Sequence, residues 1–336
     1  MSEVSLDEKV AFLRTPGAYL GAPEAVEAVE AIETHMSWVF LTRRSAYKLK
    51  KPIRYDRLDF TTLERRRLCC EEEVRLNRRL AEEIYLGTLP LTREDDGQLA
   101  IGGRGRPIDW LVHMRRLPAD QMLDAIIERR TVEKSEVEPV ARRLADFFAT
   151  ASPVDVSSDA LRARFEEGIR VDREELSKPE FGLDRRRVAT IAASELALLD
   201  EYADLFEARV REGRIVEGHG DLRPEHVCLH PRPVVIDCLE FCRELRELDP
   251  VDELAFLALE CERLGQTRIG DWFLAAYRER TGDPIPEPLL AFYREYRILR
   301  RARIAIWHLR DPSAPGVERY AERARHYIEL AQPWTG

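Results

Sequence analysis

The residues best suited to chemistry lie in one stretch, Glu217-Gly218-His219-Gly220-Asp221-Leu222-Arg223-Pro224-Glu225-His226-Val227-Cys228-Leu229, followed by Pro233-Val234-Val235-Ile236-Asp237-Cys238-Leu239-Glu240-Phe241. A tight His-Gly-Asp turn presents one carboxylate, Asp221. A short apolar strand, Val234 to Ile236, delivers a second, Asp237, from its end. Two acids 16 positions apart, one on a loop and one at a strand end, suit a site that must both orient a hydroxyl and hold Mg²⁺. Phosphoryl transfer sets those two tasks, because its catalysis is mostly positioning and charge neutralisation.

The elements that must position these acids change character once along the chain. Up to about residue 117 there are short β-type runs, Ser37–Thr42, Ala46–Leu49 and Ile108–Val112, rich in aromatic and branched residues. Beyond residue 120 apolar residues recur at three- and four-residue spacing through 138–150, 186–210, 251–264 and 287–308, which predicts helices. One helix falls inside the strand-rich part. Thr61 and Glu64 read as its capping box, and Leu68, Glu72, Leu76 and Leu80 then share a face. A carboxylate on that stripe calls for a partner, because an unpaired buried charge is costly. Gly102-Gly103-Arg104-Gly105 reads as a hairpin turn, since no GxxxxGK[ST] phosphate loop occurs anywhere in the chain.

Bulk properties narrow the function. The 336 residues are 44% hydrophobic and 34% charged, as expected of a soluble globular chain, and no apolar run approaches the length of a membrane span. Net charge is −9, which argues against nucleic-acid binding despite the basic cluster Arg43, Arg44, Lys48, Lys50, Lys51, Arg54 and Arg57. Six scattered cysteines without a CxxC pair and an acidic N-terminus without an apolar core predict a cytoplasmic setting.

The catalytic stretch resembles the HGDxxxxN…hhhDhE signature of the aminoglycoside phosphotransferases, in particular a branch often fused to a P-loop domain that is not in this chain. Ile32–Thr42, Tyr47–Pro52, Glu71–Leu80 and Leu248–Phe256 are similar to that branch as well, so the likeness runs from about residue 20 to 330. It implies an α+β, protein-kinase-like two-lobed fold. A small β-rich N-lobe with one key helix (1–117) would end in a hinge at 114–117. A larger, mostly helical C-lobe (118–336) would carry the catalytic loop 219–226 and the metal-binding strand end 234–241.

The resemblance further implies transfer of the γ-phosphate of ATP or GTP to a small-molecule hydroxyl, with Mg²⁺ or Mn²⁺. Asp221 matches the catalytic aspartate, His219 a brace of its turn, and Asp237 the metal ligand. Lys48 matches the phosphate-pairing lysine and Glu72 its helix partner; Lys50, on the same strand face, and Lys51 are rivals of Lys48, and Glu73 of Glu72. Thr34 to Ser37 occupies the nucleotide-loop position, and Met114 to Leu117, including Arg116, the hinge that docks the base.

The sequence departs from the pattern in three places. His226 stands where a second metal-binding Asn is usual, and it binds a softer ion such as Mn²⁺, hydrogen-bonds Asp221, or leaves a one-metal site. The nucleotide loop has no glycine. Glu240 follows the metal aspartate by three positions where many relatives place an acid two on. Glu240, Glu244, Glu247, Asp249, Asp252 and Glu253 form either an acidic wall for a cationic acceptor or an ordinary acidic surface. Asp249 and Asp252 are expected to tie the catalytic loop to the helix after it, through hydrogen bonds or as an N-cap. His226 and the glycine-free loop also motivate an alternative, a nucleotide-binding pseudokinase without turnover. Oligomeric state is not readable.

Overall fold

The computed structural model describes residues 4–21, 25–55, 57–309 and 317–334. The chain divides into two compact units, Met1–Gln121 with His230–Leu245, and Met122–Leu229 with Arg246–Gly336. Along the chain run α1 (Leu6–Leu13), β1 (Glu30–Glu33), β2 (Ser37–Leu41), β3 (Ser45–Lys50), β4 (Arg54–Tyr55), β5 (Leu58–Asp59), α2 (Leu63–Ala81), β6 (Tyr85–Arg93), β7 (Leu99–Ile101) and β8 (Arg106–Arg115). There follow α3 (Leu123–Arg129), α4 (Lys134–Thr150), α5 (Ser158–Leu176), α6 (Arg185–Glu201), α7 (Ala203–Arg211), β9 (Val216–Glu217), β10 (Val227–Cys228) and β11 (Val234–Val235). The chain continues with β12 (Glu247–Leu248), α8 (Pro250–Arg263), α9 (Arg268–Thr281), α10 (Glu287–His308) and α11 (Val317–Leu330). Among the described residues no helix is long and apolar enough to cross a membrane.

The first unit is an antiparallel sheet in the order β1-β2-β3-β8-β6-β7. Strand alternation gives β3 two unlike faces. Tyr47 and Leu49 join Phe40, Leu91 and Leu111 in a core closed by Val10, Leu13 and Tyr19. Lys48 and Lys50 therefore take the other face, over which α2 lies. Both helices are tied to β8 through buried Asp109, which accepts from Lys9 of α1 at 2.8 Å and from Arg66 of α2 at 2.7 Å.

Two expectations are corrected in this unit. The N-cap of α2 is Thr62, whose hydroxyl accepts from the Arg65 amide, while the Thr61 hydroxyl bonds Asp59. Leu76 and Leu80 are buried as expected, but the inward face also takes Arg66, Cys69, Cys70, Glu73, Val74 and Asn77, and Leu68 is 50% exposed. Residues 102–105 do not close a hairpin either. β7 and β8 lie on opposite sides of β6, so this glycine-rich stretch carries the chain across from one edge of β6 to the other. Gly105 is required there, since a Cβ would come within 2.2 Å of the Arg93 carbonyl oxygen. The hairpin turn is instead Glu94–Gln98.

His230–Leu245 belongs with the first unit, although the sequence reading placed 234–241 in the helical part. The reason is local: β11 packs on α2, and the residues after it are held by α2 side chains. The second unit is helical, built around α10, which packs against α5, α6, α8 and α11. The predicted helix 186–210 is broken at Tyr202 into α6 and α7. Phe165, Phe206, Phe292, Tyr293 and Tyr296 form its aromatic centre, with Phe206 and Phe292 rings 4.9 Å apart and edge-to-face. Such pairs contribute about 0.5–1.5 kcal/mol each beyond their buried area.

Candidate functional site

The chemistry-bearing residues fall into two groups, one in each unit. In the first unit Lys48 donates to Glu73 Oε1 at 3.0 Å and to Asp237 Oδ1 at 2.7 Å. Lys50, two residues on and fully buried, donates to Glu73 Oε2 at 2.6 Å and to Glu240. Glu73, not Glu72, is thus the helix partner of the strand lysine. Glu72 lies one position round the helix, partly exposed and paired with Arg75 at 2.7 Å. The sequence stripe Leu68, Glu72, Leu76 and Leu80 differs from the face that α2 turns inward, which includes Cys69, Glu73, Leu76 and Leu80, and at about 100° per residue Glu72 falls to the side of it.

These groups hold one another charged. Burial works against the Lys48 ammonium, but Asp237, Glu73 and Glu240 outweigh it and keep it well above the usual lysine range. Lys50 is raised in the same way by Glu240 and Glu73. Glu73 is pushed up by burial and pulled down further by both lysines, so it stays ionised. Burial also keeps the neighbouring Tyr85 phenol neutral, and its oxygen accepts from the Asp237 amide at 3.1 Å. Asn77 Oδ1 accepts from the Cys238 amide at 2.9 Å. Asp237 itself has φ 61°, a left-handed conformation that Asp adopts more readily than most residues.

The other first-unit candidates are tied into the sheet. Ser37 is buried, and its amide donates to the Thr34 hydroxyl at 3.0 Å, while that hydroxyl donates back to the Ser37 carbonyl at 2.9 Å. This closes the β1–β2 turn without glycine. Met114 pairs with Ala46 on one side and Tyr85 on the other. The Arg116 amide donates to Arg44 O at 2.8 Å, and its guanidinium to Thr42 O at 3.0 Å and Glu30 at 2.9 Å.

In the second unit, β9 pairs with β12 and delivers the His-Gly-Asp turn; the Gly218 amide donates to Arg246 O at 2.7 Å. β12 leads directly into α8, which places Glu253, in its first turn, beneath the turn. Glu253 is fully buried and accepts from the His219 amide at 2.8 Å and from the Gly220 amide. Burial pushes its carboxyl up to about 7, against the pull of those two amides. A Cβ on Gly218 would lie 2.5 Å from Glu253 Oε2, so only glycine lets the turn sit this close.

Glu253 is the tie between catalytic loop and helix that the sequence reading assigned to Asp249 and Asp252. Asp249 is the N-cap of α8, one of the two roles expected of it, accepting from the Val251 amide at 2.9 Å and pairing with Arg209, while Asp252 pairs with Arg297 at 2.6 Å. An acid in the first helical turn after Asp249-Pro250 was the available signal.

His219 is fully buried and its Nδ1 accepts from the Asp221 amide at 3.3 Å. Asp221 receives Arg223 Nε at 3.1 Å on Oδ2, and Arg301 of α10 lies 3.9 Å from Oδ1. Burial alone would raise the Asp221 carboxyl, but Arg223, His226, Arg301 and His219 lower it to about 2. Both ring nitrogens of His226 are engaged: Nδ1 donates to the Asp221 carbonyl at 2.8 Å, and Nε2 accepts from Arg223 at 3.1 Å. The ring is thereby held as part of the loop, a poor arrangement for a metal ligand. Asp237, an oxygen donor with a side chain 44% exposed, suits a hard cation.

The supposed acidic wall is dispersed into internal pairs. Glu240 meets Lys50, Glu244 meets Arg57, Glu247 lies 3.6 Å from Arg164, and Asp249, Asp252 and Glu253 are held as described.

No family model matches the chain. An uncharacterized protein of Mycobacterium tuberculosis and one of Mycobacterium bovis are each 34% identical to it over 314 residues, covering 90% of this chain. The chain spans 59% of the length of those curated relatives. A choline/ethanolamine kinase family protein from Mesorhizobium loti has a similar structure, with a TM-score of 0.53 at 14% identity over 97% of this chain and 94% of that one. A thermostable mutant of aminoglycoside phosphotransferase APH(4)-Ia, in its apo form, gives 0.51 at 13% identity, covering 94% and 98%. These likenesses establish the two-part, protein-kinase-like fold that the sequence resemblance implied.

Proposed function

We propose, for a chain with the fold of the aminoglycoside phosphotransferases, that it moves the γ-phosphate of ATP or GTP to a hydroxyl of a small molecule. The observation that carries this reading is Lys48, a protonated and partly accessible lysine joined to both Glu73 and Asp237. Lys48 would bind phosphate oxygens while Glu73 keeps it in place. Asp237 would hold the Mg²⁺, which when bound neutralises charge on the phosphates. Asp221, ionised at any physiological pH, would accept a hydrogen bond from the acceptor hydroxyl and set it in line for attack.

With its carboxyl at about 2, Asp221 is a weak base, which favours an orienting role over early proton removal. The acids at 240–253 have internal partners, so they lend no support to a cationic acceptor. A cytoplasmic setting, where nucleoside triphosphates are plentiful, accords with the reading.

The test is slow nucleoside-triphosphate turnover without acceptor, in Mg²⁺ and in Mn²⁺, with Asp221→Asn alongside. Turnover above the variant supports the kinase reading. Binding of nucleotide without turnover, under either metal, supports the second reading, a nucleotide-binding regulator. That alternative draws on His226, which is occupied within the catalytic loop where a second metal ligand is usual.

A further inference from the structure

Two lysines share one glutamate on the first unit's inner face, yet their surroundings differ. Lys48 is 15% exposed and its second partner, Asp237, is 44% exposed. Lys50 is 0% exposed and its second partner, Glu240, is 8% exposed. The five groups form an alternating chain of charge, Asp237–Lys48–Glu73–Lys50–Glu240. Because Asp237 and Glu240 lie three residues apart, the backbone closes that chain into a ring. One arm of the ring opens to solvent and the other does not. Lys50 is further enclosed by the Phe60 ring, 5.1 Å from its ammonium, and Glu240 Oε1 lies 3.7 Å from the Cys69 thiol, which is also buried.

From this asymmetry we infer that Lys50 and Glu240 are positioning residues, a fixed anchor that holds residues 237–240 against α2. The Lys48–Asp237 arm is the releasable one. In the phosphotransfer reading, on which this inference rests, phosphate takes Lys48 and the metal takes Asp237, so their mutual contact must open. Without a second tie, opening would free the segment that carries Asp237. The anchor keeps Glu73 neutralised and the segment in register while Lys48 and Asp237 exchange partners. It also assigns the two lysines: Lys50, with no exposed surface and two carboxylates, cannot reach a ligand unless the interior comes apart.

The Asp237 and Cys238 amides, bonded to Tyr85 and Asn77, are built-in reporters of the segment's attachment. Hydrogen exchange of the ligand-free protein, followed by mass spectrometry over peptides spanning 234–242, reads them directly. Glu240→Gln is expected to speed exchange there by about tenfold or more, whereas Lys48→Met changes it by about twofold or less. Lys50→Met should match Glu240→Gln; if that variant fails to fold, Glu240→Gln decides alone. Equal loosening by Lys48→Met, or none by Glu240→Gln, overturns the anchor. A parallel titration of the wild-type protein with a fluorescent ATP analogue, with and without Mg²⁺, judges the nucleotide reading separately. Absence of binding there would sink that reading and leave the exchange comparison to decide the anchor on its own.

Discussion

Replacing Glu73 by glutamine takes one negative charge from between the half-buried Lys48 and the buried Lys50 and leaves the geometry of α2 almost unchanged. In the wild-type protein each oxygen of Glu73 holds one ammonium, at 3.0 Å for Lys48 and 2.6 Å for Lys50. Removing one partner of a buried pair generally costs about 3–5 kcal/mol. Here each lysine keeps a second carboxylate, Asp237 or Glu240, which reduces the expected loss to about 2–3 kcal/mol. For a chain of this size that lowers the thermal midpoint by roughly 3–4 °C. Glu72→Gln removes only a partly exposed pair with Arg75, worth about 0.3 kcal/mol, and moves the midpoint by less than about 1 °C. Thermal melts of the two variants side by side make the assay, with titration of a fluorescent ATP analogue as its functional counterpart. Glu73→Gln should weaken binding and Glu72→Gln should not. Equal midpoints, or a larger loss in Glu72→Gln, would refute the pairing and with it the phase of α2.

Gly218→Ala should destabilise the protein by about 2 kcal/mol or more and slow any nucleotide turnover, since its Cβ would meet Glu253; chemical denaturation and the turnover assay read both. Asp221 has a carboxyl lowered to about 2, so its ionised form stabilises the fold above about pH 4 and that stability is lost as pH falls towards 2. Asp221→Asn should therefore lose stability less steeply than wild type between about pH 4 and 2, by about 2 kcal/mol across that window. Glu253 is shifted the other way, to about 7, so its contribution is present below its unfolded value and is lost as pH rises through neutrality. Glu253→Gln should flatten the stability profile between about pH 5 and 7, measured by urea unfolding at successive pH values.

Much of this arrangement was legible in the chain because local rules decide it. The period-two runs around Trp38, Tyr47 and Leu111 became the strands β2, β3 and β8, and the three-to-four spacing through 287–308 became α10. What escaped was decided by partners distant in sequence. The stripe through Leu68, Leu76 and Leu80 takes in Glu72 and leaves Glu73 off it, yet the face of β3 that α2 covers carries two lysines, which make Glu73 the carboxylate to bury. The wall of acids at 240–253 looked continuous in one dimension, while in the fold its members point to Lys50, Arg57, Arg164, Arg209, Arg297 and two backbone amides. Thr61 and Thr62 offer the same capping chemistry, and only Asp59, which engages the Thr61 hydroxyl, leaves Thr62 to begin the helix. His226 could be read three ways from sequence because tautomer and partners are set by Arg223 and the backbone of Asp221, neither of which spacing reveals.

The insertion of Met122–Leu229 between the two pieces of the first unit has a consequence for synthesis. When Gln121 has left the ribosome, the strands and α2 are complete, but Asp237 and Glu240 do not yet exist. At ~5–20 residues per second the intervening stretch takes roughly 5–20 s to make. Over that interval Lys48 and Lys50 share the single carboxylate of Glu73, and the site of β11 on α2 stays uncovered. The first 121 residues thus lack two of the three carboxylates that surround Lys48 and Lys50, and these are supplied by a segment encoded more than a hundred codons later.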